Sequence, residues 1–278
     1  MLSYGASTED EPRIKRVKFH VLSPEQIRAM SVVEITEASV YNRGLPAIGG
    51  VQDTRMGTVD RRILCATCNM DAVHCQGHSG HIELPFPMYH LNFFEVVLKT
   101  LRSVCFMCSR VCTTVDDETE WLVSKARFLS TYASSRTKRR CPHCGAPRPT
   151  FVRQSMTINV QWPDDVVWQS EEEKAHCTRP FTQRDALSIL RHIPNDDCRA
   201  LGLDPIDSHP KDMVLTVLLV PTPAMRPTIA ASQGSKTRAN DDITHKLQDI
   251  FKRSQDVRVS MEGAHWGDVE LTPSLLER

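Results

Sequence analysis

Eight metal-ligand residues fall in four pairs, each with the same two-residue gap: Cys65-x2-Cys68, Cys75-x2-His78, Cys105-x2-Cys108 and Cys141-x2-Cys144. An x2 turn points two soft ligands at one spot, so each pair is half of a tetrahedral site, and zinc takes four such ligands. Two pairs close a site. Cys65, Cys68, Cys75 and His78 make three thiolates and an imidazole; Cys105, Cys108, Cys141 and Cys144 make a four-thiolate site. His74 and His81 are spare histidines beside the first set, and the x2 spacing favours His78 over them. Cys112 lies near the second set but off its pattern, and the lone Cys177 and Cys198 read as packing residues.

Three other chemistries compete for these residues. A thiol-exchange centre needs one active dithiol, whereas four half-sites in two sets suit metal better. A catalytic zinc keeps an open position and uses mostly His and carboxylate, unlike these closed thiolate sets. A cross-braced RING domain needs only a few residues between its fourth and fifth ligands; here a long segment with a predicted helix separates His78 from Cys105.

Formal net charge is zero and the pI is near 7.1, so no global signature of nucleic acid or of an acidic partner is present. Any basic surface must be local. Lys138, Arg139, Arg140 and Arg148 flank the second set. A four-thiolate zinc site carries a charge of about −2 by simple valence. The flanking cations offset that field, contact phosphates, or form a solvated turn. The opening MLSYGASTED lacks the charged and apolar regions of a secretory signal. No apolar run approaches the ~18 residues of a membrane span. No membrane partner is expected, and in a reducing compartment the ten cysteines read as ligands before disulfides.

The patterning between the ligand pairs predicts an α+β chain with short strands and several helices. Residues 1–12 are polar and expected to be disordered. RIKRVKFHV alternates, with Val17, Phe19 and Val21 on one face, and predicts a strand. LSPEQIRAM predicts a helix with Ser23 as N-cap, Pro24 at the first position and Gln26 closing a capping box. SVVEIT predicts a strand and the following stretch, YNRGLPAIGGVQDTRMGTVDRR, an irregular loop. MYHLNFFEVVLKTLRSV predicts a helix, with Leu91, Phe94, Val97, Leu98 and Leu101 on its apolar face. Further helices are expected over 116–135, in PFTQRDALSILRHIP with Thr182 as cap, and in ITHKLQDIFKRSQ; strands are expected in PTFVRQSMTINVQW and KDMVLTVLLVPTP, the latter running into a polar loop.

Several of these stretches, in this order, resemble the start of the largest subunit of multisubunit RNA polymerases, most like eukaryotic RNA polymerase II. RVKFHVLSPEQIRAMSVVEI resembles its opening. IGGVQDTRMGTVDRRILCATC with HCQGHSGHIELPFPMYHLNFF resembles its first zinc loop, including the GHxGHI signature at Gly77 to Ile82. VCFMC resembles half of its second zinc site, VLLVPTPAMRPTI the proline-rich strand end before its lid loop, and NDDITHKLQDIFK the helix after the lid. The resemblance runs from about residue 13 to the end. One departure is the compact CPHC, closer to archaeal or viral relatives. Another is that NADFDGD, the family's magnesium-holding signature, does not occur in this chain.

The resemblance implies the N-terminal clamp region of a DNA-directed RNA polymerase, as a fragment or a split-gene product, with VELTPSLLER reading as a helix cut after its start. It implies a zinc-braced clamp core over 13–227, a lid-like loop over 228–242 and the start of a helical segment from 243. It implies two zinc ions, with magnesium held only in the complete nucleotidyltransferase through residues that this chain does not carry. Implied partners are the second-largest and smaller polymerase subunits, template DNA and the RNA–DNA hybrid, in the nucleus or in a cytoplasmic virus factory. Arg226, Lys236 and Arg238 become lid cations able to meet phosphates, and Arg139 and Arg140 candidates near the second zinc site. For Arg226, wedged between Met225 and Pro227, bonding loop carbonyls is an equal alternative. The reading from a different class is a free-standing zinc-binding interaction or transcription-regulatory protein.

Overall fold

A computed structural model describes residues 17, 19–60, 62–113, 124–164, 166–167, 170–230 and 238–263. The first helix, α1 (Pro24–Met30), opens with the predicted capping box: Ser23 Oγ accepts from the Gln26 amide, and Gln26 Oε1 accepts from the Ser23 amide at 2.9 Å. Strand β1 (Ser31–Glu34) follows at once. The stretch expected to be irregular contains a small hairpin, β2 (Tyr41–Asn42) with β3 (Leu45–Pro46), and a 3-10 turn at Thr54–Met56. Next come β4 (Ser79–Tyr89), α2 (Phe94–Ser103), α3 (Ser124–Arg136), and the hairpin β5 (Thr150–Gln154) with β6 (Thr157–Gln161). The rest is α4 (Glu171–Thr178), α5 (Gln183–Arg191), α6 (Asn195–Ala200), β7 (Val214–Val220), the two-residue pair β8 (Ile229–Ala230) with β9 (Arg238–Ala239), and α7 (Asp242–Gly263). This is the expected α+β class, with small sheets and separate helices.

The main sheet has three strands in the order β1-β4-β7, with β1 parallel and β7 antiparallel to β4. One core gathers Phe94, Val97, Leu98 and Leu101 of α2 with Leu190 of α5, Phe151 and Val214. The spacing of those four α2 residues puts them on one helical face. A second core joins Val33, Ile82 and Val220 of the sheet to Leu247 and Phe251 of α7. Each such side chain contributes on the order of 1.5–3 kcal/mol when fully buried. α5 opens with a second capping box, in which Thr182 and Asp185 bond reciprocally.

Four expectations need correction or limits. Among the described residues of the stretch expected to be the first strand, none is in a strand, and Val17 and Phe19 are 68% and 94% exposed. Alternation alone does not make a strand without a neighbour to pair with. Leu91 is exposed rather than on a helix face, because β4 runs to Tyr89 and a 3-10 turn, capped by His90, intervenes before α2. The helix expected from 116 is seen from Ser124, and 116–123 lie outside the described residues, as do 1–12 and 264–278. Among the described residues no helix is long and apolar enough to cross a membrane.

Candidate metal centres and nucleic-acid interface

Three of the four ligand pairs are the same local structure. The Cys65 amide donates to Met70 O at 2.9 Å and the Asn69 amide donates to Cys65 O at 2.8 Å. The Cys105 amide donates to Arg110 O at 2.8 Å and the Ser109 amide to Cys105 O at 3.0 Å. The Cys141 amide donates to Ala146 O at 2.9 Å and the Gly145 amide to Cys141 O at 3.0 Å. Each turn depends on a residue with positive φ just after its second cysteine: Asn69 at 57°, Ser109 at 57° and Gly145 at 71°. Glycine takes that conformation freely and asparagine tolerates it. The reversal aims backbone N–H groups at sulfur, as where the His143 amide donates to Cys141 Sγ at 3.4 Å. The fourth pair is built differently: the Gly77 amide donates to Cys75 Sγ at 3.4 Å, and the His78 amide donates to Met56 O at 2.9 Å.

These turns bring the predicted ligands together in the two predicted sets. The donor atoms of Cys65, Cys68, Cys75 and His78 lie within 4.8 Å of one another, and so do those of Cys105, Cys108, Cys141 and Cys144. In the second set Cys105 Sγ is 3.6 Å from Cys144 Sγ and Cys108 Sγ is 3.7 Å from Cys141 Sγ. A tetrahedron with metal–sulfur bonds of about 2.3 Å has edges of about 3.8 Å. Both sets therefore fit zinc. In the first set His78 Nε2 is buried with no hydrogen-bond partner. Such an orphan is costly in a protein interior, and a bound cation would satisfy it. The spare residues are engaged elsewhere. His81 Nδ1 is 2.7 Å from Ser31 Oγ, and His74 Nδ1 is 2.6 Å from Asp71 Oδ1. Cys112 is buried against Cys105 and Cys141, and Cys177 and Cys198 are buried packing residues.

The thiols of the second set are unequal. Burial would raise Cys141, but the amides of Cys144 and His143 bring it down to about 6. Cys108 is pushed up to about 12, first by burial and then by its sulfur neighbours. Four thiolates at this spacing need a cation to coexist, which a divalent metal supplies.

The basic turn beside this set forms one wall of a cleft of about 810 Å³ whose lining includes Arg136, Lys138, Arg139 and Arg140 and, among the described residues, no acidic side chain. Arg102 and Arg148 also line it, but their guanidiniums are bonded to backbone: Arg102 to Phe151 O, and Arg148 to the carbonyls of Ser135 and Arg102. Arg139 and Arg140 are exposed, and Arg140 donates to Gly145 O at 3.2 Å. These cations make a local basic surface on a chain of zero net charge.

The three cations expected in the lid-like loop fare differently. Arg226 has no exposed surface. Its guanidinium donates to Pro221 O at 3.0 Å, to Thr244 Oγ1 at 3.2 Å and to Val51 O. The phosphate role open to it in the sequence therefore does not hold in this fold, and carbonyl bonding does. Burial lowers its pKa to about 10, which leaves it charged at neutral pH. Nothing in the local sequence marks this burial, which depends on the 49–53 loop and α7 closing over the side chain. Lys236 lies outside the described residues, and Arg238 opens β9.

A small α+β chain with two cysteine-rich four-ligand sets beside a basic cleft has the build of a metal-braced module. Residues 11–265 match the family described as RNA polymerase Rpb1, domain 1, and the chain belongs to that family, the N-terminal part of the largest RNA polymerase subunit. It is 31% identical over 278 residues to DNA-directed RNA polymerase II subunit RPB1 of Euplotoides octocarinatus, covering 94% of this chain and 57% of that protein. It is 34% identical over 261 residues to subunit Rpo1N of Thermococcus celer, covering 90% of this chain and 28% of the relative. Rpo1N of Methanocaldococcus jannaschii gives 34% over 262 residues, 90% of this chain and 19% of the relative. The chain thus spans little more than half, or less, of the length of these relatives.

Proposed function

We propose that the chain is a zinc-braced clamp within a DNA-directed RNA polymerase, holding template DNA and the RNA–DNA hybrid while other parts of the enzyme join nucleotides. The observation that carries this reading is the pair of four-ligand sets inside a domain of the polymerase largest subunit. Zinc at both sets would act structurally, pinning together the turns that carry the ligands. Residues 13–227 form the clamp core and 228–242 the lid at the upstream edge of the hybrid, followed by a helical segment from 243. The second-largest and smaller subunits are the protein partners, and the nucleus is the compartment. The magnesium aspartates of the reaction belong to a signature that is not in this sequence. The chain by itself is expected to polymerise no RNA.

Arg139 and Arg140, with Lys236 and Arg238, are the cations proposed to meet phosphates. Phosphate contacts add affinity without sequence preference and weaken as salt rises. Elemental analysis of purified chain tests the metal part: about two zinc per chain is expected, one for each four-ligand set. A value near zero or one removes it. For the nucleic-acid part, Arg139→Ala with Arg140→Ala in the assembled polymerase should lower the slope of log affinity against log salt by about 1 per lost contact. An unchanged slope would show that these two arginines are only a solvated turn.

A further inference from the structure

The second ligand set has one sulfur more than a tetrahedral site uses. Cys112 has no exposed surface and packs in one cluster with Cys105 and Cys141, against which Cys108 also lies. The first set has no comparable extra, because its spare histidines, His74 and His81, are bonded elsewhere. Cys177 and Cys198 lie outside the cluster.

The backbone explains why Cys112 stands there. Val104 and Val111 form an isolated antiparallel bridge. On either side of it the Cys105 amide donates to Arg110 O at 2.8 Å and the Cys112 amide donates to Ser103 O at 2.9 Å. Residues 103–105 and 110–112 are thus two short extended legs, and side chains alternate along each. Val104 and Val111 point into the apolar core with α2, so Cys105 and Cys112 share the opposite face. Diagonal neighbours on such a face stand about 7–8 Å apart, a gap that two side chains can close. The two thiols do meet: Cys112 is the first cause, ahead of burial, that raises the pKa of Cys105. Cys112 Sγ also donates to Arg110 O at 3.7 Å, so it stands as a protonated thiol beside a ligand sulfur.

We propose that Cys112 is a reserve ligand of the second centre, a fifth thiol that takes the Cys105 corner whenever Cys105 lets go of the metal. The inference rests on zinc at the second set. Zinc accepts a fifth ligand in passing. Cys112 then gives its proton to solvent and binds as a thiolate, while Cys105 leaves and takes up a proton. Ligand number and charge are unchanged, and no oxidant is needed. The 110–112 leg is paired by main chain with 103–105, so the corner within its reach is that of Cys105.

Zinc content of the full chain tests this. Cys105→Ser should keep about two zinc per chain, one at each set. Cys108→Ser should fall to about one, as should Cys105→Ser combined with Cys112→Val. A folded Cys105→Ser chain with about one zinc overturns the proposal. Cys112→Val alone decides where Cys105→Ser does not fold, because all four primary ligands remain. Valine keeps the buried apolar contact but offers no donor. The variant should still hold about two zinc. Chelator should strip its second centre several times faster than in the unaltered chain, and its first at the unaltered rate. An unaltered rate at the second centre would assign Cys112 to packing alone and overturn the proposal. An unaltered chain that holds zinc at the first set only would instead remove the metal reading of the second.

Discussion

The two metal centres draw on similar ligands but stabilise different amounts of chain. All four ligands of the first come from one loop, Cys65 to His78, with no helix or strand between them. The second joins pairs that lie far apart: Cys108 and Cys141 are 33 positions apart and Cys105 and Cys144 are 39. α3 and the basic turn lie between them. A local site needs little chain to be ordered before its ligands meet, while a distant one must close a longer loop, at about 0.6 kcal/mol for each doubling of loop length. The first centre instead depends on outside anchors. The Ala66 amide donates to Thr54 O at 3.1 Å, Thr67 Oγ1 donates to Arg55 O at 2.7 Å, and the His78 amide reaches Met56 O. The first centre is thus a loop pinned to a framework, and the second is part of the framework.

The largest effect should separate the two directly. Cys141→Ser removes one ligand of the second centre and is expected to lower zinc from about two per chain to about one, since each four-ligand set holds one ion. Metal binding at such sites is folding free energy. Protease cleavage should therefore spread through 112–149, opening α3 and the cleft. Cys68→Ser should lose the same amount of zinc but confine cleavage to 58–78. Equal cleavage patterns in the two variants would erase the distinction.

Arg226→Ala comes next. It leaves the carbonyls of Pro221 and Val51 without their shared donor, and each unmet buried group costs about 1–3 kcal/mol. Val51 belongs to the same loop as Asp53, which accepts from the Arg55 amide at 2.8 Å, and Arg55 O in turn accepts from Thr67. The loss should be read in denaturant unfolding as about 3 kcal/mol. It should also weaken zinc retention at the first centre while sparing the second. A loss of zinc shared equally between the centres would break this link.

How much of the molecule is legible in its sequence follows from how local each signal is. The ligand sets are encoded in spacing, so all eight donors can be named from the order of residues alone. Ser23 with Gln26 and Thr182 with Asp185 are likewise short-range, and both capping boxes form. β4 leaves no such trace. Pro85 and Pro87 interrupt its pattern, and its register to β7 jumps between Glu83↔Val217 and Met88↔Leu215, so the prolines sit in a bulge where ladder bonds are not required. Arg226 is legible only as a cation in a proline-rich turn. The carbonyl it holds at Val51 is 175 positions away in sequence, and no local pattern reports that distance.

A smaller effect tests the first centre's dependence on its surroundings. Gly77 has a φ of 84°, and a Cβ there would come within 2.7 Å of Thr222 Cβ. Gly77→Ala therefore meets both backbone strain and a neighbour at the end of β7, with a backbone cost of about 1–3 kcal/mol. Chelator challenge should strip zinc from the first centre several times faster than in the unaltered chain, and from the second at the unaltered rate.

The smallest effect probes how the second centre is tied to its framework. Asp197, at the start of α6, accepts from the Val111 amide at 2.8 Å and lies 3.7 Å from Arg110 Nε. The two contacts differ in kind. The amide bond is buried, whereas Arg110 is half exposed, and exposed ion pairs contribute about 0–1 kcal/mol. Arg110→Ala should change unfolding by less than about 0.5 kcal/mol and vanish into noise at high salt. Asp197→Ala should cost about 1–2 kcal/mol, because the Val111 amide next to the cysteine turn loses its acceptor. Asp197→Asn, which keeps an oxygen for that amide, should recover most of the loss. If Asn is as damaging as Ala, charge rather than the amide bond holds the turn to α6. The second centre would then be held to its framework electrostatically, and its stability should fall with added salt while that of the first does not.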